Sequence, residues 1–112
     1  MESILNSIKK MIGIDPSYTV FDVDIIMHIN SVFAILTQLG VGPSTGYSIT
    51  DANDTWTDFL DEDPRLEMVK SFMALKVRLL FDPPSSSTHV EVINQSIKEL
   101  EWRLNIASES LN

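Results

Sequence analysis

The chain contains no cysteine. That excludes a disulfide framework, a thiolate metal site and a cysteine nucleophile, and it fits an intracellular assembly environment. Positive charge is scarce as well, with eight Lys and Arg against sixteen Asp and Glu and a formal net charge of −8. Lys9, Lys10, Arg65, Lys70, Lys76, Arg78, Lys98 and Arg103 are scattered along the chain. No basic run offsets the repulsion between this acidic protein and a phosphate backbone, so general nucleic-acid binding is not expected. Long hydrophobic runs are missing too. The longest weakly polar stretch, Ser31 to Gly42, is broken by Thr37 and Gln38 and falls short of the roughly 20 residues that cross a bilayer. The opening MESILNSIKKMIG places an acid second and its lysines after its apolar residues, the reverse of a secretory signal, so no membrane partner is expected.

What is present is apolar. Hydrophobic residues make up 44% of 112 positions and mean hydropathy is +0.07, enough for a core with some left for an interface. Two halves of such a chain would each be too small to bury a useful core, so one domain spanning residues 1–112 is expected.

The apolar residues recur at helical spacing throughout. Ile4, Leu5, Ile8, Met11 and Ile12 form one face of a short helix closed by Gly13 and Pro16. A longer helix is expected from Asp22, with Ile25, Ile29, Val32, Leu36 and Leu39 in one stripe, Ile26 and Phe33 in a second, and Gly40 at its end. Asp54 can cap a short turn of helix in TWTDFL, where Trp56, Phe59 and Leu60 share a side. Asp63 and Pro64 predict the start of the next helix. That helix is apolar over most of its circumference, with Leu66, Val69, Met73, Val77 and Leu80 in one stripe and Met68, Phe72, Leu75 and Leu79 in another. Such a helix is central, or is shared between a core and a subunit interface. Asp82-Pro83-Pro84 ends it. Thr88 and Glu91 then have capping-box spacing at the head of a last helix, whose seam is Val90, Ile93, Ile97, Leu100 and Leu104. Trp102 lies off that seam. The expected fold is all-α, a small bundle of four to five helices.

No stretch carries a recognisable chemistry. GVGPSTG has glycines but no lysine, places Pro43 where an amide donor is needed, and follows a helix instead of a strand, so it is not a phosphate loop. Counting from Asp51, Asn53 and Glu62 take the third and twelfth positions of a calcium loop, yet Trp56 occupies the sixth, where a glycine makes the turn. His28 and His89 have no second ligand at metal spacing. Ser85, Ser86, Ser87, His89 and Asp82 offer triad residue types only within a proline-broken linker. The acids Asp51, Asp54, Asp58, Asp61, Glu62, Asp63 and Glu67 have no apolar pocket to split their pKa values, and read as a solvated rim or a docking surface for a basic partner. No catalytic residue, cofactor or metal is expected. Trp56 and Phe59 either plug the core or anchor an interface.

In order, FDVDIIMHINSVF, TQLGVGP, TWTDFL, VKSFMALKVRLLFDPP and ELEWRLN resemble the small helical head-tail connector, or adaptor, proteins of tailed bacteriophages and prophages. The likeness runs from about Ile4 to Asn105. It implies a structural protein of the virion neck, assembled in the bacterial host cytoplasm. The resemblance further implies a ring, commonly of about twelve subunits, that docks on the portal protein, meets a tail-side neck protein, and extends the channel through which DNA passes without specific binding. On that view the loop after the second helix is a docking element freed by its glycines, and Gly42, Pro43, Tyr47, Trp56, Phe59 and Trp102 are the expected protein-interface residues. A small helical interaction module or dimeric regulator, using the same apolar faces, is the alternative.

Overall fold

The computed structural model describes residues 2–111, so the bounds 1 and 112 expected for the domain lie outside it. Five helices follow in order: α1 (Ile4–Met11), α2 (Asp22–Gln38), α3 (Trp56–Phe59), α4 (Leu66–Phe81) and α5 (Ser87–Leu111). The fold is all-α; the one extended pairing among the described residues is an isolated antiparallel bridge between Ser3 and Thr55. It is a slab of 39 × 35 × 19 Å, and its thickness is about two helix diameters.

Helix α4 occupies the middle. Val69, Phe72, Met73, Ala74 and Val77 are buried in a core shared with Ile25, Ile29, Val32, Phe33 and Leu36 of α2, Ile4, Leu5 and Ile8 of α1, and Ile93, Ile97 and Leu104 of α5. Helices α2 and α5 pack chiefly on α4 and not on each other, while α1 sits against both α2 and α4. Three walls therefore cover a helix that is greasy on most sides, and of its large apolar side chains Leu80 stands out at 53% exposure. Leu66, Met68, Leu75 and Leu79 are only partly buried, and further exposed apolar side chains lie on the other elements.

Helix ends follow local chemistry, with three departures from expectation. Helix α2 closes as the sequence predicts: Gly40 takes φ +83°, its amide bonds Thr37 O at 3.1 Å, and the Val41 amide bonds Leu36 O at 2.9 Å. This is a Schellman closure, with Val41 and Leu36 both buried beside it. Helix α3 is capped by Thr55 and not by Asp54, because the Asp54 carboxylate already accepts the Thr50 and Asp51 amides; Asp58 reaches back to the Thr55 amide and hydroxyl. Helix α4 starts at Leu66, two residues past Pro64. Asp63 and Pro64 belong to a turn closed by the Leu66 amide on Asp63 O at 3.0 Å, and the Asp63 carboxylate is occupied by Arg65. Helix α5 starts two residues early. The Ser86 hydroxyl, not that of Thr88, accepts the third helical amide, from His89, and consecutive hydroxyls in a serine run offer the same cap.

One buried group was not foreseen. Lys9 lies on the core side of α1 with no exposed surface. Its ammonium donates to Pro16 O at 3.0 Å, to Tyr18 O at 2.7 Å and to Asp22 Oδ1 at 2.7 Å. All three protons are used, which is the condition for burying such a charge. The bonds tie the α1–α2 connection to the first residue of α2. Replacing Lys9 by Ala removes the charge partner of Asp22 and strands two carbonyls, and is expected to lower unfolding free energy by about 2–4 kcal/mol. Lys9→Met, which keeps the stem, should cost less; urea denaturation of both variants checks the order.

Candidate functional site

The expected interface residues separate into two groups. Five of the six gather where the α2–α3 loop folds back on the core. Trp56 and Phe59 are 2% and 4% exposed, so they plug the subunit's own core and do not project as anchors. Phe59 stacks against Phe33 at 4.7 Å and Tyr47 at 5.4 Å, and Tyr47 meets Phe33 at 5.1 Å. Trp56 donates its indole N–H to Ser7 Oγ at 2.7 Å, and the Lys70 ammonium lies 5.8 Å from the centre of its ring. Gly42, Pro43 and Tyr47 are half-buried beside them.

The loop is pinned, contrary to the freedom expected of its glycines. The Asn30 side chain bonds both backbone groups of Ile49, donating to its carbonyl at 3.0 Å and accepting its amide at 2.8 Å. Ile49 and Val41 are buried. The chain before α1 secures the far end of the loop, where Ile4 N bonds Asp54 O at 3.0 Å and Trp56 N bonds Glu2 O at 3.2 Å. Gly42 has φ +87°, and a Cβ there would lie 2.4 Å from Phe59 Cε1. Glycine is therefore needed for close packing and turn geometry, not for mobility. Burial raises the Tyr47 phenol above its ordinary pKa, with the charges of Asp54 and Asp58 adding to the effect.

Trp102 is the sixth residue and stands apart, 63% exposed on α5. It lies half a turn away from the buried seam of Ile93, Ile97 and Leu104. Ile106, one turn on, is 41% exposed, and Val92 is 53% exposed. Glu99 and Arg103 pair at 2.9 Å on the same side.

A second apolar surface had not been singled out from the sequence. Val20, Val23 and Met27 are 70%, 78% and 57% exposed, with Tyr18 at 50% and Phe21 at 38%. Val23 and Met27 lie on the side of α2 opposite Ile25, Ile29 and Leu36. Their i, i+4 spacing was available as a signal, but the stronger core stripe obscured it. Phe21 meets Phe81 edge-on at 5.2 Å and Tyr18 at 5.7 Å. An open groove of ≈ 430 Å³ runs beside them, lined by Ile14, Phe21, Phe81 and Asp82. The Lys9 bonds hold this segment in place.

Four of the seven acids, Asp51, Asp54, Asp58 and Asp63, serve turns and clamps. Asp51 accepts the Asn53 amide, and Asp54 and Asp58 cap as described. Asp63 takes Arg65 in a forked pair, with Nη2 to Oδ2 at 2.7 Å and Nε to Oδ1 at 3.0 Å. Arg65 Nη1 also reaches Ser108 Oγ at 2.9 Å and Gly40 O at 3.4 Å, joining the ends of α2 and α5 at the head of α4. No group of three or more metal-ligating side chains occurs among the described residues, and no helix among them is long and apolar enough to cross a membrane.

A family model described as "Phage connector protein" matches residues 4–110. Searches of curated proteins and of solved structures return no match.

Two outcomes follow from the loop and its clamp. Gly42→Ala combines a left-handed backbone with overpacking against Phe59 and should destabilise the fold by about 2–5 kcal/mol in urea titrations. The Arg65 side chain, then its amide and charge, hold the Asp63 carboxyl below its ordinary pKa, against the opposing effect of burial. The unfolded carboxyl titrates at about 3.9, so this stabilisation is complete above that pH and is lost as pH falls through the lower folded value. Melting curves from neutral pH downward should show wild type losing stability more steeply below about pH 4 than Asp63→Asn.

Proposed function

The chain belongs to the phage connector protein family, and on that premise we propose that it forms a ring that docks on the portal, joins head to tail and extends the DNA channel. Family membership implies a head-tail connection role as a structural component of the virion and contacts with other virion proteins. The ring, the portal contact, the tail-side neck partner and assembly in the host cytoplasm are the finer parts of the proposal. So is the absence of catalysis: the subunit holds its neighbours and does no chemistry.

The observation that carries the reading is the family match over nearly the whole chain. Two exposed apolar surfaces support it, one at Val20, Val23 and Met27 and the other at Trp102 and Ile106. A lone subunit leaves both in water, and neighbours in an assembly would cover them. The net charge of −8 suits a channel that DNA must pass without adhering, since an acidic wall repels phosphate.

Purified protein mixed with its cognate portal should add a ring of density on the portal's tail-facing side in electron micrographs. A portal that stays bare at saturating protein, with the protein recovered free, would overturn the proposal.

A further inference from the structure

The groove beside Phe21 and the outward tryptophan of α5 are complementary in chemistry. The groove has three apolar side chains, Ile14, Phe21 and Phe81, and one carboxylate, Asp82. Trp102 offers a flat apolar ring with a single N–H donor, 63% exposed. A buried indole needs apolar walls and one acceptor, and Trp56 of the same chain meets that need through Ser7. Charge agrees, since Arg103 already occupies the Glu99 carboxylate on that side of α5. Lys98 precedes Trp102 by one turn of α5, while Asp82 lines the groove and Asp15 adjoins Ile14.

The chain cannot fill its own groove. The groove lies where α2 begins and α4 ends, and α5 sets out from that same end after the short link that follows Asp82. Fifteen residues separate Ser87 from Trp102, so the helix has travelled about 22 Å away before the indole is reached. The Arg65 bond to Ser108 places the end of α5 at the opposite end of α4. Helices α2 and α5 each pack chiefly on α4, and Trp102 lies on the side of α5 away from its buried seam. Groove and indole thus occupy opposite ends of one subunit, and an indole that fills the groove must come from another molecule.

Resting on the reading of the chain as a ring-forming connector, we propose that Trp102 of one copy inserts into the Ile14, Phe21, Phe81 and Asp82 groove of the next, donating its indole N–H to Asp82. Val23 and Met27 near the groove and Ile106 near the indole widen the contact. The interface is heterologous, because each copy presents a knob at one end and a groove at the other. Its repetition closes into a ring when the rotation between copies divides a full turn.

Two variants at exposed positions test this without threatening the core: Trp102→Ala removes the knob, and Asp82→Lys spoils the groove and repels Lys98. Sedimentation velocity, alone and with purified portal, reads assembly, and tryptophan emission reports burial of the exposed indole. Circular dichroism melts show that each variant folds. Wild type should assemble with a blue shift in emission, and each variant should assemble about thirtyfold or more weakly. A mixture of the two retains one good knob and one good groove, so it should yield 1:1 pairs and nothing larger. Trp102→Ala or Asp82→Lys assembling as wild type overturns this contact and leaves the ring reading standing. A Trp102→Ala ring that no longer holds portal assigns the indole to the portal and also overturns it. Wild type that stays a single subunit at every concentration, with and without portal, overturns both.

Discussion

A helix that is apolar on most sides has to be surrounded, and α4 sets that requirement for the rest of the chain. Its Val69, Phe72, Met73 and Val77 are fully covered because α2, α1 and α5 each lend a stripe. Side chains at i, i+3 and i+4 make each stripe continuous, so three helices suffice for the sides that face them. The arrangement is a slab, and a slab has outer faces. On α2 and α5, the sides turned away from α4 are where apolar residues remain in water.

The connections are held by side chains that bond backbone groups, and each joins segments remote in sequence. Lys9 fastens the α1–α2 link to α2. Asn30 holds Ile49 against α2. Arg65, steadied by Asp63, ties the end of α2 to the end of α5. A loop's backbone polar groups must find partners once water is excluded, and these three residues supply them. The result is a subunit whose loops are ordered before any neighbour arrives. Its exposed apolar residues, Val20, Phe21, Val23 and Trp102, therefore sit on a preorganised frame, which lowers the entropic cost of docking.

Much of the fold was legible because helical periodicity is a local signal. The α2 stripe, the Gly40 closure and the central α4 can be read from spacing alone. Cap residues were less legible where several candidates stand side by side. Asp54 and Thr55, or Ser86 and Thr88, compete for one position, and the choice depends on which oxygen is already engaged elsewhere. Asp54 was lost to the turn at Thr50, and Asp63 to Arg65. The candidate site divided for a related reason. Trp56, Phe59 and Trp102 are similar aromatic residues in the sequence, but only the first two have Phe33, Tyr47 and Ser7 beside them in space.

By itself the sequence determined the helical class, the order of the segments, the acidic balance and the resemblance that a match over residues 4–110 bears out. These depend on composition and on neighbours within a few positions along the chain. Only the tertiary structure decided that the glycine loop is pinned against the core, that Lys9 is buried, and that much of the exposed apolar surface lies on the segment before α2 and on the outer sides of α2 and α5. Burial is a property of what other elements cover, and coverage is set by contacts between residues far apart in the sequence.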